Sequence, residues 1–172
     1  MMKIPGNDWW LQYQNLRFLD GGRAGNLVDC HGLAMLIYRD HLSIDLPEWP
    51  EVTLDVLTRA DTDLLSNRFS NGFKAVATGF EQAFDMAVIR RALPVDGKLK
   101  RGWWHLGVVT REGHLVHIDY HAGVVEVPFR DTTASRGSST LRVNDVRLFR
   151  HESLIDAAEI QAMAAPELRD CA

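Results

Sequence analysis

The chain has 172 residues, a formal net charge of −4 and 46% hydrophobic residues, enough to close the core of a single domain without covalent staples. Its 19 Lys and Arg are spread along the chain, which argues against an extended nucleic-acid surface, and the short groups Arg90-Arg91 and Lys98-Leu99-Lys100-Arg101 read as solvated loop around a turn. Two cysteines, Cys30 and Cys171, make no disulfide framework, and no window reaches the roughly 18 apolar residues of a membrane span.

In chain order, Pro5-Gly6-Asn7-Asp8 interrupts any apolar run at the N-terminus, so no export leader is expected. Asn7 or Asp8 caps a short helix through Trp9, Trp10, Tyr13 and Leu16. Asp20-Gly21-Gly22 and Ala24-Gly25-Asn26 are turns. The stretch from Cys30 to His41, with Leu33, Met35, Leu36, Ile37 and Tyr38, predicts a mostly buried helix. Pro47 and Pro50 bound a loop, and Thr53 to Phe69 predicts a second, more polar helix. The period then changes. Strands are expected over Phe84–Arg90, Trp103–Thr110, His114–Asp119, Gly123–Val127 and Leu141–Phe149, with Ala134 to Ser139 a loop. A helical tail is expected over Ser153–Ala165. Helices first and strands later give an α+β domain with an antiparallel sheet.

The strands around Gly113 form a hairpin. Leu106, Val108, Val116 and Ile118 share its core face, leaving His105, Gly107, Val109, Leu115 and His117 on the other. That sharing requires an odd connection, because a one-residue slip reverses every side chain. A three-residue loop, Arg111-Glu112-Gly113 with Gly113 left-handed, meets the requirement. His105 then faces Asp119, with His117 its diagonal neighbour.

Cys30 opens an apolar helix directly after Asp29. A thiol there meets unpaired backbone N–H groups and the positive end of the helix dipole, which favours the thiolate. The same N–H groups can hold an oxyanion. Asp29 is the expected cap, and Gly32 leaves room for another element. His105 is the candidate base and His117 the group that sets its tautomer, with Asp119 and His121 as alternatives. A metal site is not expected: His114 and His117 point to opposite faces of a strand, and no Cys-x-x-Cys or His-Glu-x-x-His occurs. A Cys30–Cys171 bridge would disable the nucleophile.

These residues carry a resemblance. Phe18-Leu19-Asp20-Gly21-Gly22-Arg23, Asp29-Cys30-His31-Gly32-Leu33, His105-Leu106-Gly107-Val108-Val109 and His117, twelve positions after His105, resemble the pattern of the NlpC-type cell-wall cysteine peptidases. Tyr38-Arg39-Asp40-His41-Leu42-Ser43-Ile44-Asp45-Leu46-Pro47 is similar to the branch found in tails of bacteriophages and gene-transfer particles. The resemblance covers about residues 7–150.

It implies a papain-like NlpC-type domain over 1–150, with a helical tail over 151–172. It also implies a Cys30-His105-His117 triad supported in the cleft by Asp29, His31 and Phe18. No cofactor or metal is implied. The expected reaction is hydrolysis of a stem-peptide amide of peptidoglycan, by the usual family bond that of γ-D-glutamate to a diamino acid. The expected setting is a phage tail tip, among tail-tip proteins. Two departures stand out: Phe18 occupies a position where many members have Tyr, and His31 follows the cysteine where Ser or an aromatic is common. Other readings of the same residues are a structural tail-tip protein with a weak or silent site, and an acyltransferase or muramoyl-alanine amidase. Cys30 could also be a small buried hydrophobe, and Trp9, Trp10, Trp103 and Trp104 are core or rim.

Overall fold

The computed structural model describes residues 6, 8–50, 52–59, 63–69, 71–129 and 141–155. The expected tail beyond Ile155, Cys171, the 134–139 loop and Asn7 lie outside them. Trp9–Tyr13 forms a single 3-10 turn instead of a helix reaching Leu16, and Asp8 makes no side-chain cap. Three two-residue strands follow, β1 (Arg17–Phe18), β2 (Arg23–Ala24) and β3 (Leu27–Val28). β3 runs parallel to β1 and antiparallel to β2.

Helix α1 (Cys30–Leu42) starts at Asp29, whose carboxylate accepts from Gly32 N at 2.8 Å. It stops at Ser43, which is left-handed at φ +56° and ends the helical backbone. Its buried side, including Leu33, Ile37 and Tyr38, packs on the main sheet. Tyr38 also donates its hydroxyl to the Phe84 carbonyl at 2.7 Å.

The expected helix over 53–69 is two short ones, α2 (Leu54–Arg59) and α3 (Leu64–Arg68). A fresh cap at Asp63, accepting from Ser66 N, starts the second. That Asp-x-x-Ser spacing is the signal by which the break could have been found.

The main sheet adds β4 (Phe73–Val76), β5 (Met86–Val95), β6 (Lys98–Arg111), β7 (His114–Asp119), β8 (Gly123–Pro128) and β9 (Val146–His151). Their order is β4-β9-β5-β6-β7-β8, with neighbouring strands antiparallel throughout. The fold is thus α+β with few helices and an antiparallel sheet. The expected last strand is shorter: Val143–Asp145 is a 3-10 turn, and pairing begins at Val146.

Strands β5 and β6 run further than expected. Asp96 and Gly97, at φ +51° and +73°, make a two-residue turn in which both central residues are left-handed, the geometry that suits strand twist. Lys98-Leu99-Lys100-Arg101 is therefore strand, not loop. Both sheet faces are buried in the centre. Leu106, Val108, Val116 and Ile118 join the α1 cluster as expected, while Ala87, Ile89, Val109, Leu115, Val127, Phe129 and Leu148 form a second cluster. Burial on both sides explains the unbroken apolar run Met86-Ala87-Val88-Ile89.

One buried ion pair ties the sheet together. Arg150 on β9 donates to Asp85 through Nε at 2.8 Å and Nη2 at 3.0 Å, and Nη2 also donates to the Phe80 carbonyl at 2.7 Å. Gln82 N supplies Asp85 with a further donor at 2.9 Å. Asp85 is wholly buried, and burial still holds its carboxyl above the ordinary range against these partners. Arg150→Ala is expected to strand that carboxylate and cost about 3–5 kcal/mol, measured as a lower urea midpoint with the slope unchanged.

Candidate active site

The β6–β7 connection is where the local sequence decides the chemistry. The loop has two residues, Glu112-Gly113, and not three, with Gly113 at φ +70°. Val108 pairs with Val116 and Val109 with Leu115, but Arg111 pairs with His114. Thr110 is therefore an extra residue, a bulge, and it restores the parity that the short turn would have reversed. Continuing the register places Gly107 opposite His117 and His105 opposite Asp119. The two rings meet, with His105 Nε2 and His117 Nδ1 3.0 Å apart and ring planes at 84°.

A second bulge lies on the other edge of β6. Ile89 pairs with His105 and Arg90 with Trp103, which leaves Trp104 unpaired between them. Alternation would send Trp104 and His105 to opposite faces, yet both line the same cavity. The Trp104 ring lies over Gly102, where a Cβ would come within 2.2 Å of its Nε1. Trp103 turns elsewhere, beneath the Arg147 guanidinium at 4.0 Å.

Cys30 faces this end of β6. The N–H groups of Leu106 and His31 both point at its sulfur, so the thiol lies against the residue that follows His105. Cys30, His105, Asp29, His31 and Phe18 all line one narrow cavity of about 40 Å³, with room for a few waters. Val52 and, from α2 and α3, Leu54, Leu57 and Leu65 complete its walls. The structure thus brings all the expected cleft residues but His117 to one cavity, and His117 reaches it through the His105 ring.

Asp29 does more than cap. Its Oδ2 accepts from Gly21 N at 3.1 Å and pairs with the Arg23 guanidinium. Arg23 also donates to the carbonyls of Gly22, Glu48 and Val52. Only its place in a Gly-Gly-Arg turn six residues before Asp29 hinted at this role. Gly32 is required by contact, since a Cβ there would meet the Gly22 carbonyl at 2.4 Å. His31 is buried and stacks on Trp49, with ring centroids 4.6 Å apart. Phe18 packs beside Tyr120 at 5.5 Å. Asp119 caps the β7–β8 turn through His121 N at 2.9 Å and Ala122 N at 3.2 Å, and lies 3.5 Å from Arg91.

The electrostatics correct one expectation. Burial pushes the Cys30 thiol up to about 12, helped by the Asp29 charge. The Leu106 N–H, Arg23 and the His31 N–H oppose this as a helix entrance should, but they are outweighed. Burial first, then His117 and Arg91, hold His105 well below the ordinary imidazole value. Burial and Arg91 take His117 to about 4, partly offset by Asp119 and the Ile118 backbone. The resting site is therefore a neutral thiol beside two neutral imidazoles, not a preformed ion pair.

No family model and no curated protein matches the chain. Among solved structures, a crystal structure of a protein described as similar to lipoprotein, NLP/P60 family, from Staphylococcus aureus subsp. aureus Mu50 superposes with a TM-score of 0.48 at 14% identity. The match covers 82% of this chain and 38% of that one, so the chain spans well under half the length of that protein. Among the described residues no three His, Cys, Asp or Glu side chains converge as a metal site, and no helix is long and apolar enough to cross a membrane.

Two outcomes follow from the charge states. Iodoacetamide alkylation of Cys30 is expected to be slow at pH 7 and to climb without a plateau through pH 9, whereas a preformed ion pair would give a plateau below pH 7. Stability also depends on pH. His31 and His117 are held near 4 when folded and titrate near 6.5 when unfolded. Between those values the unfolded chain binds more protons, so stability falls as the pH falls, by at most about 3 kcal/mol for each ring. Urea melts from pH 7 to pH 4 measure the loss, and His31→Phe or His117→Phe should flatten it.

Proposed function

We propose that this chain is a cysteine peptidase of the NlpC type, with a papain-like arrangement of helix and sheet, that hydrolyses an amide in the stem peptide of peptidoglycan. The bond we assign joins γ-D-glutamate to a diamino acid. The observation that carries the reading is a thiol at a helix entrance sharing a cavity with an imidazole that a second imidazole holds at 3.0 Å. The Asp29-to-Leu33 and His105-to-Val109 motifs, with His117 twelve positions on, supply the substrate class.

The chemistry follows from which nitrogen is engaged. In the tautomer where His105 Nε2 donates to His117 Nδ1, 3.0 Å away, the His105 Nδ1 lone pair is the base. As sulfur attacks the carbonyl carbon, the thiol proton passes to Nδ1 and the carbonyl π pair moves to oxygen. The Cys30 N–H at the start of α1 stabilises that oxyanion. Collapse breaks the C–N bond, and the amine leaves with the proton from Nδ1. Water, deprotonated by the same nitrogen, then cleaves the thioester and restores the thiol. Because the resting pair is neutral, proton transfer accompanies attack and does not precede it.

The Tyr38-to-Pro47 segment resembles the tail-borne branch. On that ground we place the protein in a phage tail tip, made in the host cytoplasm and acting on the bacterial wall with tail-tip proteins as partners.

The test is mass spectrometry of purified muropeptides incubated with the protein. Wild type should convert tetrapeptide species to shorter products. Cys30→Ala should abolish conversion, and His117→Ala should lower kcat by about 10²- to 10⁴-fold with little change in KM. An identical product profile for wild type and Cys30→Ala would overturn the proposal.

A further inference from the structure

The thiol cavity is too small for more than peptide backbone, while a larger groove begins at its edge. Phe18 lines both. Beyond Phe18 the groove runs between β1 and the β7–β8 turn, with a volume of about 470 Å³. That falls within the roughly 300–1,000 Å³ of small-molecule sites, whereas the 40 Å³ at the thiol does not. Whatever distinguishes one amide from another must therefore be gripped outside the cleavage cavity.

The groove's chemistry is specific. Tyr120 is 72% exposed and lies beside Phe18 with centroids 5.5 Å apart and ring planes at 59°, so much of its ring is open. His121 meets Tyr120 edge to face at 4.8 Å. Gln14 and Asn15 add amide donors and acceptors. Arg17 adds a cation that makes no ion pair among the described residues. An exposed aromatic face flanked by amides matches the flat C–H face and the hydroxyls of a pyranose ring. A guanidinium with no ion pair among the described residues stands beside it, with N–H donors for an acetamido carbonyl and ring hydroxyls.

The wall is braced by its own turn. Asp119 accepts from the amides of His121 and Ala122, and Gly123 holds φ +73°, where a Cβ would come 3.3 Å from the Leu16 carbonyl. Asp119 also faces His117 and Arg91, so this wall stands next to the catalytic rings.

We propose that the groove binds an acetamido-sugar ring of the glycan strand, with Tyr120 as the stacking platform and Arg17 donating to the ring's acetamido carbonyl and hydroxyls. On this view the enzyme acts on peptide still attached to its saccharide. This deepens the peptidase reading and rests on it for the coupling to cleavage, though the binding itself can be measured without catalysis.

The experiment uses the full chain carrying Cys30→Ala and the β-1,4-linked tetramer of N-acetylglucosamine, a peptide-free probe, titrated by NMR. Saturable shifts at Tyr120, His121 and Arg17 with a Kd of about millimolar or tighter are expected, weakened at least tenfold by Tyr120→Ala. An absence of saturable shifts, or equal affinity after Tyr120→Ala, would overturn the subsite. With active protein, Tyr120→Ala should raise KM for disaccharide-tetrapeptide at least fivefold more than it raises KM for free tetrapeptide. Equal losses on both substrates would assign Tyr120 to peptide binding and overturn the saccharide assignment. Sugar binding without any peptide cleavage would sink the peptidase reading and leave the subsite standing.

Discussion

The Asp29 carboxylate, shared among the Gly32 amide, the Gly21 amide and the Arg23 guanidinium, fixes three things at once. It sets the residue at which α1 begins, and hence the height of the thiol. It draws the turn before β2 against that helix, which is why Gly32 can carry no side chain. Through Arg23 it also holds the carbonyls of Glu48 and Val52, and so the segment that walls the cavity. A buried, fully partnered carboxylate of this kind is costly to disturb, because loss of one partner leaves the others unsatisfied.

The same charge works against the thiolate. A helix entrance ordinarily favours a sulfur anion, but here the anion would sit beside Asp29 and largely out of bulk water. The donors around Cys30 narrow the gap without closing it. The imidazoles are neutral for the matching reason: burial disfavours their cations, and Arg91 repels them. Thiol and imidazoles are therefore both held in the neutral forms that an apolar site prefers.

How much was legible in the sequence varied with the range of the cause. Local causes read well. The Asp29 cap, the length of α1, the β6–β7 strands and the side-sharing of the two histidines follow from short patterns and parity. The turn itself was misread, because a three-residue loop and a two-residue turn plus a bulge have the same parity, and only backbone pairing distinguishes them. The break between α2 and α3 was hidden by a polar periodicity that continues across it. The Arg23–Asp29 pair, the Trp104 bulge and the aliphatic cavity walls depend on contacts between distant segments, which no local pattern encodes. The thiol's charge state was misjudged for that reason too: the helix dipole is visible in the sequence, and the burial that outweighs it is not.

The bulge at Thr110 bears on how such a chain can vary. Without that residue a two-residue turn would pair odd positions of one strand with even positions of the next. Every amino acid could be retained and the two imidazoles would still point away from each other. An interval of twelve between them is thus a geometric requirement of this tight hairpin, and an interval of eleven would leave the same letters with no working dyad. In a hairpin with this turn and bulge, the number of residues between two side chains decides whether they share a face as firmly as their identities do.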